Sequence, residues 1–275
     1  SRSPHGAALC GVAGGLMKLS VIPLLAWITY AIIVVPIIMV LGASFTETRF
    51  ITFPPAGFTL DWYSAAIADR ALMGGLWLST TVALASVLIS VCLGTAAALY
   101  LSRPRAFLRG LLSSFFLAPL NVPSVMTAFA LLLAFTQWHL INWYGLVIAH
   151  VILTLPYIVR SVLVSLAGQD QSIERAAAIL GASPFRVFWL ITLPLIRPGV
   201  LAGATFAFLI SFNNVPVSVF ISTPGSAPLP VVLFNRMQWL AEPSVAAAAA
   251  LTIVATITVM LILEQRFSIY RSMFR

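Results

Sequence analysis

The residues of this chain that could do chemistry are few, and they stand far apart. Its three histidines (His5, His139, His150), two cysteines (Cys10, Cys92) and single lysine (Lys18) form no set with metal-ligand or nucleophile-and-base spacing. The cysteines cannot make a metal site by themselves. With one in the N-terminal tail and one inside an apolar run, they also argue against a disulfide. A nucleotide phosphate loop needs spaced glycines closed by Lys-Ser or Lys-Thr, whereas Lys18 follows Leu16 and Met17. The chain is therefore expected to hold no cofactor of its own and not to hydrolyse ATP. All seven carboxylates (Glu47, Asp61, Asp69, Asp170, Glu174, Glu242, Glu264) lie in connections or at the ends of apolar runs. Ion-coupled carriers commonly keep carboxylates within the membrane, which weakens that reading, and no residue set suggests an intramembrane enzyme.

What remains is a set of polar breaks in apolar surroundings: Asn121-Val-Pro123, Thr154-Leu-Pro156 and Asn213-Asn214-Val-Pro216. Polar side chains and proline at bilayer depth are tolerated where they are buried in protein or face a wet cavity. Asn121, Asn213 and Asn214 are thus candidate pathway residues, and each break also reads as a kink held by neighbouring helices. For His150 the favoured reading is a neutral imidazole bonded to a neighbouring helix as packing glue.

The elements that must position these residues are membrane spans. The 275 residues are 61% hydrophobic and 8% charged, with a mean hydropathy of +1.05, far from soluble composition. Six stretches reach the length that crosses a bilayer: Leu19–Ser44, Leu72–Leu101, Leu111–Gln137, Tyr144–Leu166, Gly199–Ile221 and Ser244–Leu263. They are too long and continuous for barrel strands. The fold class is an all-α integral membrane bundle of six transmembrane helices. Residues 1–69 form the tail, first helix and outer loop, 70–265 a five-helix core, and 266–275 a tail.

Twelve of the fifteen basic residues fall on one side: Arg2 and Lys18, Arg103, Arg105 and Arg109, Arg160, Arg175, Arg186 and Arg197, and Arg266, Arg271 and Arg275. Arg49, Arg70 and Arg236 fall on the other. The positive-inside rule then places both termini in the cytoplasm, and the net charge of +8 faces anionic lipid rather than nucleic acid. The first apolar run, of about 26 residues with Pro23 and Pro36, suits a retained anchor better than a cleaved signal.

Between the fourth and fifth spans the chain reads ERAAAILGASPFRVFWLITLP, from Glu174 to Pro194. Ser172 is expected to cap a helix whose Ile173, Ala176, Ala177 and Leu180 share one face, with Glu174, Arg175 and Ala178 turned elsewhere. Gly181 supplies a left-handed turn. Ser183 and Pro184 start a second helix, and Pro194 is expected to end it. The small Ala176 and Ala177 leave a low surface that a partner's backbone can approach; the alternative is a hairpin lying on the membrane surface with Phe188 and Trp189 at headgroup depth.

This stretch resembles the signature loop of binding-protein-dependent ABC importer permeases, E-A-A-x-x-x-G, nine residues, then I-x-L-P. Ala176, Ala177, Gly181, Ile191, Leu193 and Pro194 match in register, while Arg175 stands where the family usually has glutamate, with Glu174 one position early. The resemblance implies the type I importer permease fold, and that the loop at 168–197 couples to a separate ATPase through Glu174, Arg175, Ala176, Ala177, Gly181, Ser183, Pro184 and Pro194. It further implies two ATP-binding subunits carrying ATP and magnesium, a second permease subunit that is a related but different chain, an extracytoplasmic binding protein, and a bacterial inner-membrane location.

The stretch from Ser211 to Trp239 resembles spermidine/putrescine-type permeases, in which acidic residues often stand where Asn213 and Asn214 do. Two neutral amides suit a dication less well, so a polyamine-like solute stands beside opines, aminoalkylphosphonates and inorganic ions. A carrier or pore independent of ATP is the reading from another class, told apart by whether an ATPase co-purifies; a purely structural protein would have no use for the punctuated loop.

Overall fold

The computed structural model describes residues 5–103, 108–170, 172–223, 225–239 and 242–267, the side chains of 5–20, 259, 262–264, 266 and 267 aside. The side chains of His5, Cys10, Lys18 and Arg266, and residues Arg2, Arg105 and 268–275 with Arg271 and Arg275, lie outside this description.

Helix α1 (His5–Ala43) runs through Pro23 and Pro36, and its apolar stretch Val21–Ala43 is essentially unburied by the rest of the chain. The side chains of Ile22, Trp27 and Ile32 all face outward, as lipid-facing or subunit-facing residues must. A connection follows, tied down by Trp62 Nε1, which donates to the Thr46 carbonyl at 2.8 Å, and by Ser44 Oγ and Tyr63 OH at 2.6 Å. After the short α2 (Asp61–Ala68), Asp69 caps α3 (Arg70–Leu101) by accepting from the amides of Ala71 and Leu72.

The core is a three-helix stack of α3, α6 (Trp143–Ala167) and α9 (Leu193–Phe212), with α6 in the middle. Lipid tails give apolar helices no reason to associate, so small residues and hydrogen bonds bring them together. Gly199 and Gly203 lie four apart on α9, and a Cβ at Gly203 would sit 3.1 Å from the Ile158 Cα of α6. A Cβ at Gly94 of α3 would meet Ile158 Cγ2 at 2.8 Å from the other side. Ala98, Ile158, Val162, Ile196 and Ala207 fill the layer between them. Hydroxyls bridge the same seam: Ser86 Oγ donates to the Val147 carbonyl at 3.2 Å, and Ser90 Oγ meets Thr154 Oγ1 at 2.7 Å.

Two expected spans are corrected. The third is not one helix: α4 (Arg109–Leu117) and a 3-10 turn (Ala118–Leu120) meet α5 (Ser124–Gln137) at 103°. Pro123 is extended at φ −54°, ψ 132°, and it biases Val122 away from helix as well. The fifth does not run to Ile221. It ends at Phe212, and Val215–Ile221 is a separate helix, α10, lying mainly on α5.

That same span also begins earlier than expected. Helix α8 (Pro184–Val187), a π turn (Phe188–Thr192) and α9 are continuous, a rod of 29 residues from Pro184 to Phe212. Pro194 therefore does not stop the second short helix. A proline lacks an N–H and crowds the carbonyl four residues back, and the wider π turn just before it accommodates both. Helix α11 (Leu229–Trp239) packs on α3, and α12 (Pro243–Phe267) on α2 and α1. Helix α12 is 25 residues long, enough to cross a bilayer, and contains the expected Ser244–Leu263 stretch. Among the described residues, four helices and one bent pair have the length and apolarity to cross a membrane.

Candidate coupling loop and translocation break

Helix α7 (Ser172–Ile179) starts under Asp170, not under Ser172 as expected: Asp170 Oδ1 accepts the Ser172 N–H at 2.8 Å. That bond, with the neighbouring Arg175 adding to it, holds the exposed Asp170 carboxyl below its ordinary value. The helix closes as the spacing predicts. The amide of Ala182 reaches the Ala177 carbonyl and that of Gly181 the Ala178 carbonyl, both at 3.0 Å, with Gly181 at φ +86°; this is the paired bonding of a glycine-ended helix. Ser183 Oγ then accepts from the Arg186 amide at 3.4 Å, and Pro184 opens α8.

The inner side of α7 is fastened to the rod. Thr192 Oγ1 donates to Glu174 Oε1 at 2.5 Å across eighteen residues, and Thr192 is buried. Ile173, Ala176, Ile179 and Leu180 point away from the protein, and Leu180 is 88% exposed. The expected apolar face is therefore an outer face, except that Ala177 is half-buried. Arg175 is exposed. With Arg103, Gln169, Glu174 and Phe188 it lines a cavity of about 400 Å³ between the ends of α3 and α6 and the underside of the loop. Pro194 is exposed on the first turn of α9. Phe188 and Trp189 pack edge to face at 5.5 Å.

The polar breaks fall into place differently. Asn213 ends α9, its Nδ2 donating to the Leu209 carbonyl at 3.0 Å, and Asn214 starts α10, its Oδ1 accepting from the Val217 amide at 2.9 Å. Each asparagine thus has a local backbone partner, and Asn213 is also exposed. Asn121 is exposed at the end of the 3-10 turn. Thr154-Leu-Pro156 is no break, since α6 runs through it, and the structure unites the other two at the level of helices: α5 and α10, which follow them, pack together, with Phe129 and Phe220 edge to face at 6.5 Å. His150 is buried and bonded to neighbouring helices, as expected of packing glue. Sequence reading missed Thr192, which hides at the unspecified position of I-x-L-P, and Asp170, whose capping role only its two-residue offset from Ser172 could have suggested.

An apolar helical bundle with interrupted helices inside it and an exposed helix–glycine–helix knuckle at one end defines a membrane transport permease. The model of the family described as binding-protein-dependent transport system inner membrane component matches residues 90–268. The chain belongs to that family and is a permease subunit of an ABC importer. It is 35% identical over 225 residues to the putrescine transport system permease protein PotI of Escherichia coli strain K12, covering 78% of this chain and 79% of that one. It is 31% identical over 237 residues to the spermidine/putrescine transport system permease protein PotC of the same strain, covering 86% and 89%. In fold it is similar to a chain of a bacterial ABC transporter that imports the acidic polysaccharide alginate, with a TM-score of 0.71 at 16% identity over 97% of this chain and 99% of that one.

Proposed function

We propose that this subunit passes a small polyamine-like organic solute from an extracytoplasmic binding protein into the cytoplasm, powered at α7 by a separate ATPase. The observation that carries the reading is the knuckle itself. Its outer face offers Ile173, Ala176, Ile179 and Leu180 to a partner, while Glu174 and Thr192 fasten its inner side to a rod that enters the core. A helix of eight residues is marginal alone in water, and an apolar face at a polar surface calls for a partner. The Arg175 that replaces the family's glutamate leaves this arrangement intact, because Glu174 makes the inward bond.

In this reading ATP and magnesium belong to two partner subunits, a second permease completes the pathway, and both termini face the cytoplasm. The names of the two relatives support the solute class. The amides at Asn121, Asn213 and Asn214 fit a pathway that guides by hydrogen bonding and leaves charge selection to the binding protein. The test is co-purification of the chain with its ATPases, followed by solute uptake in vesicles supplied with binding protein and ATP. Putrescine and spermidine, an opine, an aminoalkylphosphonate and molybdate form the solute panel. Uptake of only one of the last three would overturn the polyamine assignment; uptake without any ATPase would overturn the importer mechanism.

A further inference from the structure

The rod from Pro184 to Phe212 leads from the coupling knuckle to the break at Asn213-Asn214, where the backbone ladder stops and α10 sets off in a new direction. A push delivered to the rod would be absorbed at such a break unless something fixed the angle across it. Two hydroxyls flank the break, Ser211 in the last turn of α9 and Ser218 in α10, and both close on one imidazole. His150 Nδ1 lies 2.8 Å from Ser211 Oγ and Nε2 lies 3.2 Å from Ser218 Oγ. The ring and both hydroxyls are buried. The bracket is anchored from behind, since Thr154 Oγ1 donates to the His150 carbonyl at 2.8 Å and meets Ser90 of α3.

A neutral imidazole has one donor and one acceptor nitrogen, so the two serines use its whole capacity, one giving a proton and one receiving. A ring so placed does not face a solute. It does join α9 and α10 to the middle helix of the core at one point, and a satisfied buried network of this kind specifies one arrangement of the elements it joins.

We infer that His150 is a positioning residue for transport: its two-sided bond to Ser211 and Ser218 locks the α9–α10 angle, so that movement of the coupling rod reaches α10 and the break as one motion. This rests on the reading of α7, Gly181 and α8 as the ATPase-coupling loop.

The experiment uses the complete transporter in vesicles, with ATPases, both permeases and loaded binding protein, and measures assembly, stimulated hydrolysis and solute moved per ATP. Ser218→Ala cuts the α10 bond alone. It should leave assembly and hydrolysis in place while lowering solute per ATP by about five-fold or more, the population change expected for one lost buried bond. Ser218→Thr should restore the ratio. His150→Asn, which keeps an amide near the Nδ1 position, and His150→Gln, which reaches only the Nε2 position, each keep one side of the bracket and should both behave like Ser218→Ala. If a histidine variant fails to insert, the Ser218 pair decides alone. An unchanged ratio in Ser218→Ala overturns the proposal, as does a parallel fall of hydrolysis and transport, which marks simple packing damage. Failure of the underlying coupling reading has a separate sign: ATPase attachment and stimulation unaffected by Gly181→Val.

Discussion

Glu174 and Thr192 stand eighteen residues apart and meet at 2.5 Å, so that the first helix of the knuckle is bonded to the π turn from which the fifth span rises. A movement of α7 therefore has a direct mechanical connection to α9. Hydrogen bonds to charged groups are worth about 1.5–3 kcal/mol. Thr192→Val or Glu174→Ala should accordingly weaken the attachment of the ATPase by up to about 10- to 150-fold, and Glu174→Gln, which keeps an acceptor, should do much less. Binding of purified ATPase to permease in nanodiscs measures this, and a double variant no worse than either single one would show that the two residues act as a unit.

Gly181 is at φ +86°, and a Cβ there would meet nothing within 4 Å. Its substitution cost is conformational and not steric. Gly181→Val should cost about 1–3 kcal/mol and lose ATPase-stimulated transport while the subunit still inserts. Gly181→Asn, tolerant of the left-handed region, should keep most activity. Equal loss in both variants would point to crowding by the partner instead.

Asp69, which caps α3, and Arg236 of α11 pair at 2.7 Å. Partial burial raises the Asp69 carboxyl, but the Leu72 amide, Arg236 and the Ala71 amide outweigh it and hold the group below its ordinary 3.8. A carboxyl lowered by folding contributes stability that is complete above its ordinary value and is lost as pH falls through the lower folded one. The pair is about 30% exposed, so about 0–1 kcal/mol is at stake. The difference in melting temperature between the wild type and Asp69→Asn should stay constant from about pH 8 to 5 and shrink below about pH 4. A difference that grows on acidification would contradict this account.

The asparagines at the break carry separable duties. Asn214→Ala removes a helix cap and should cost about 1 kcal/mol, whereas Asn214→Ser keeps the cap and removes the amide. If the amide also serves the pathway, the serine variant should transport poorly despite normal thermal stability and normal ATPase assembly. Full uptake by Asn213→Ala/Asn214→Ser would reduce both residues to structural ones.

Orientation is tested by cysteine labelling. With Cys10 and Cys92 replaced, Ser183→Cys should react with an impermeant reagent only from the cytoplasmic side. Reaction from outside would overturn both the orientation and the coupling role of the knuckle.

The amino-acid sequence by itself determined the membrane class, the approximate places of the apolar segments and the knuckle's turn. Those rest on local physics: bilayer thickness sets the length of an apolar run, only glycine sits easily at the φ of residue 181, and serine before proline starts a helix. The tertiary structure decided what depends on distant partners. Whether Pro194 stops a helix was settled by a π turn that the sequence does not advertise, and whether Leu111–Gln137 is one span by the bend at Pro123. Which side chain, Ser172 or Asp170, supports the start of α7 turned on a two-residue offset. That Ser211, Ser218 and His150 meet inside the bundle could not be read from their spacings of seven and about sixty, because the contact exists only once α6, α9 and α10 are packed. Local conformational preference acts over a few residues, and the partners of a buried polar group are chosen by the fold.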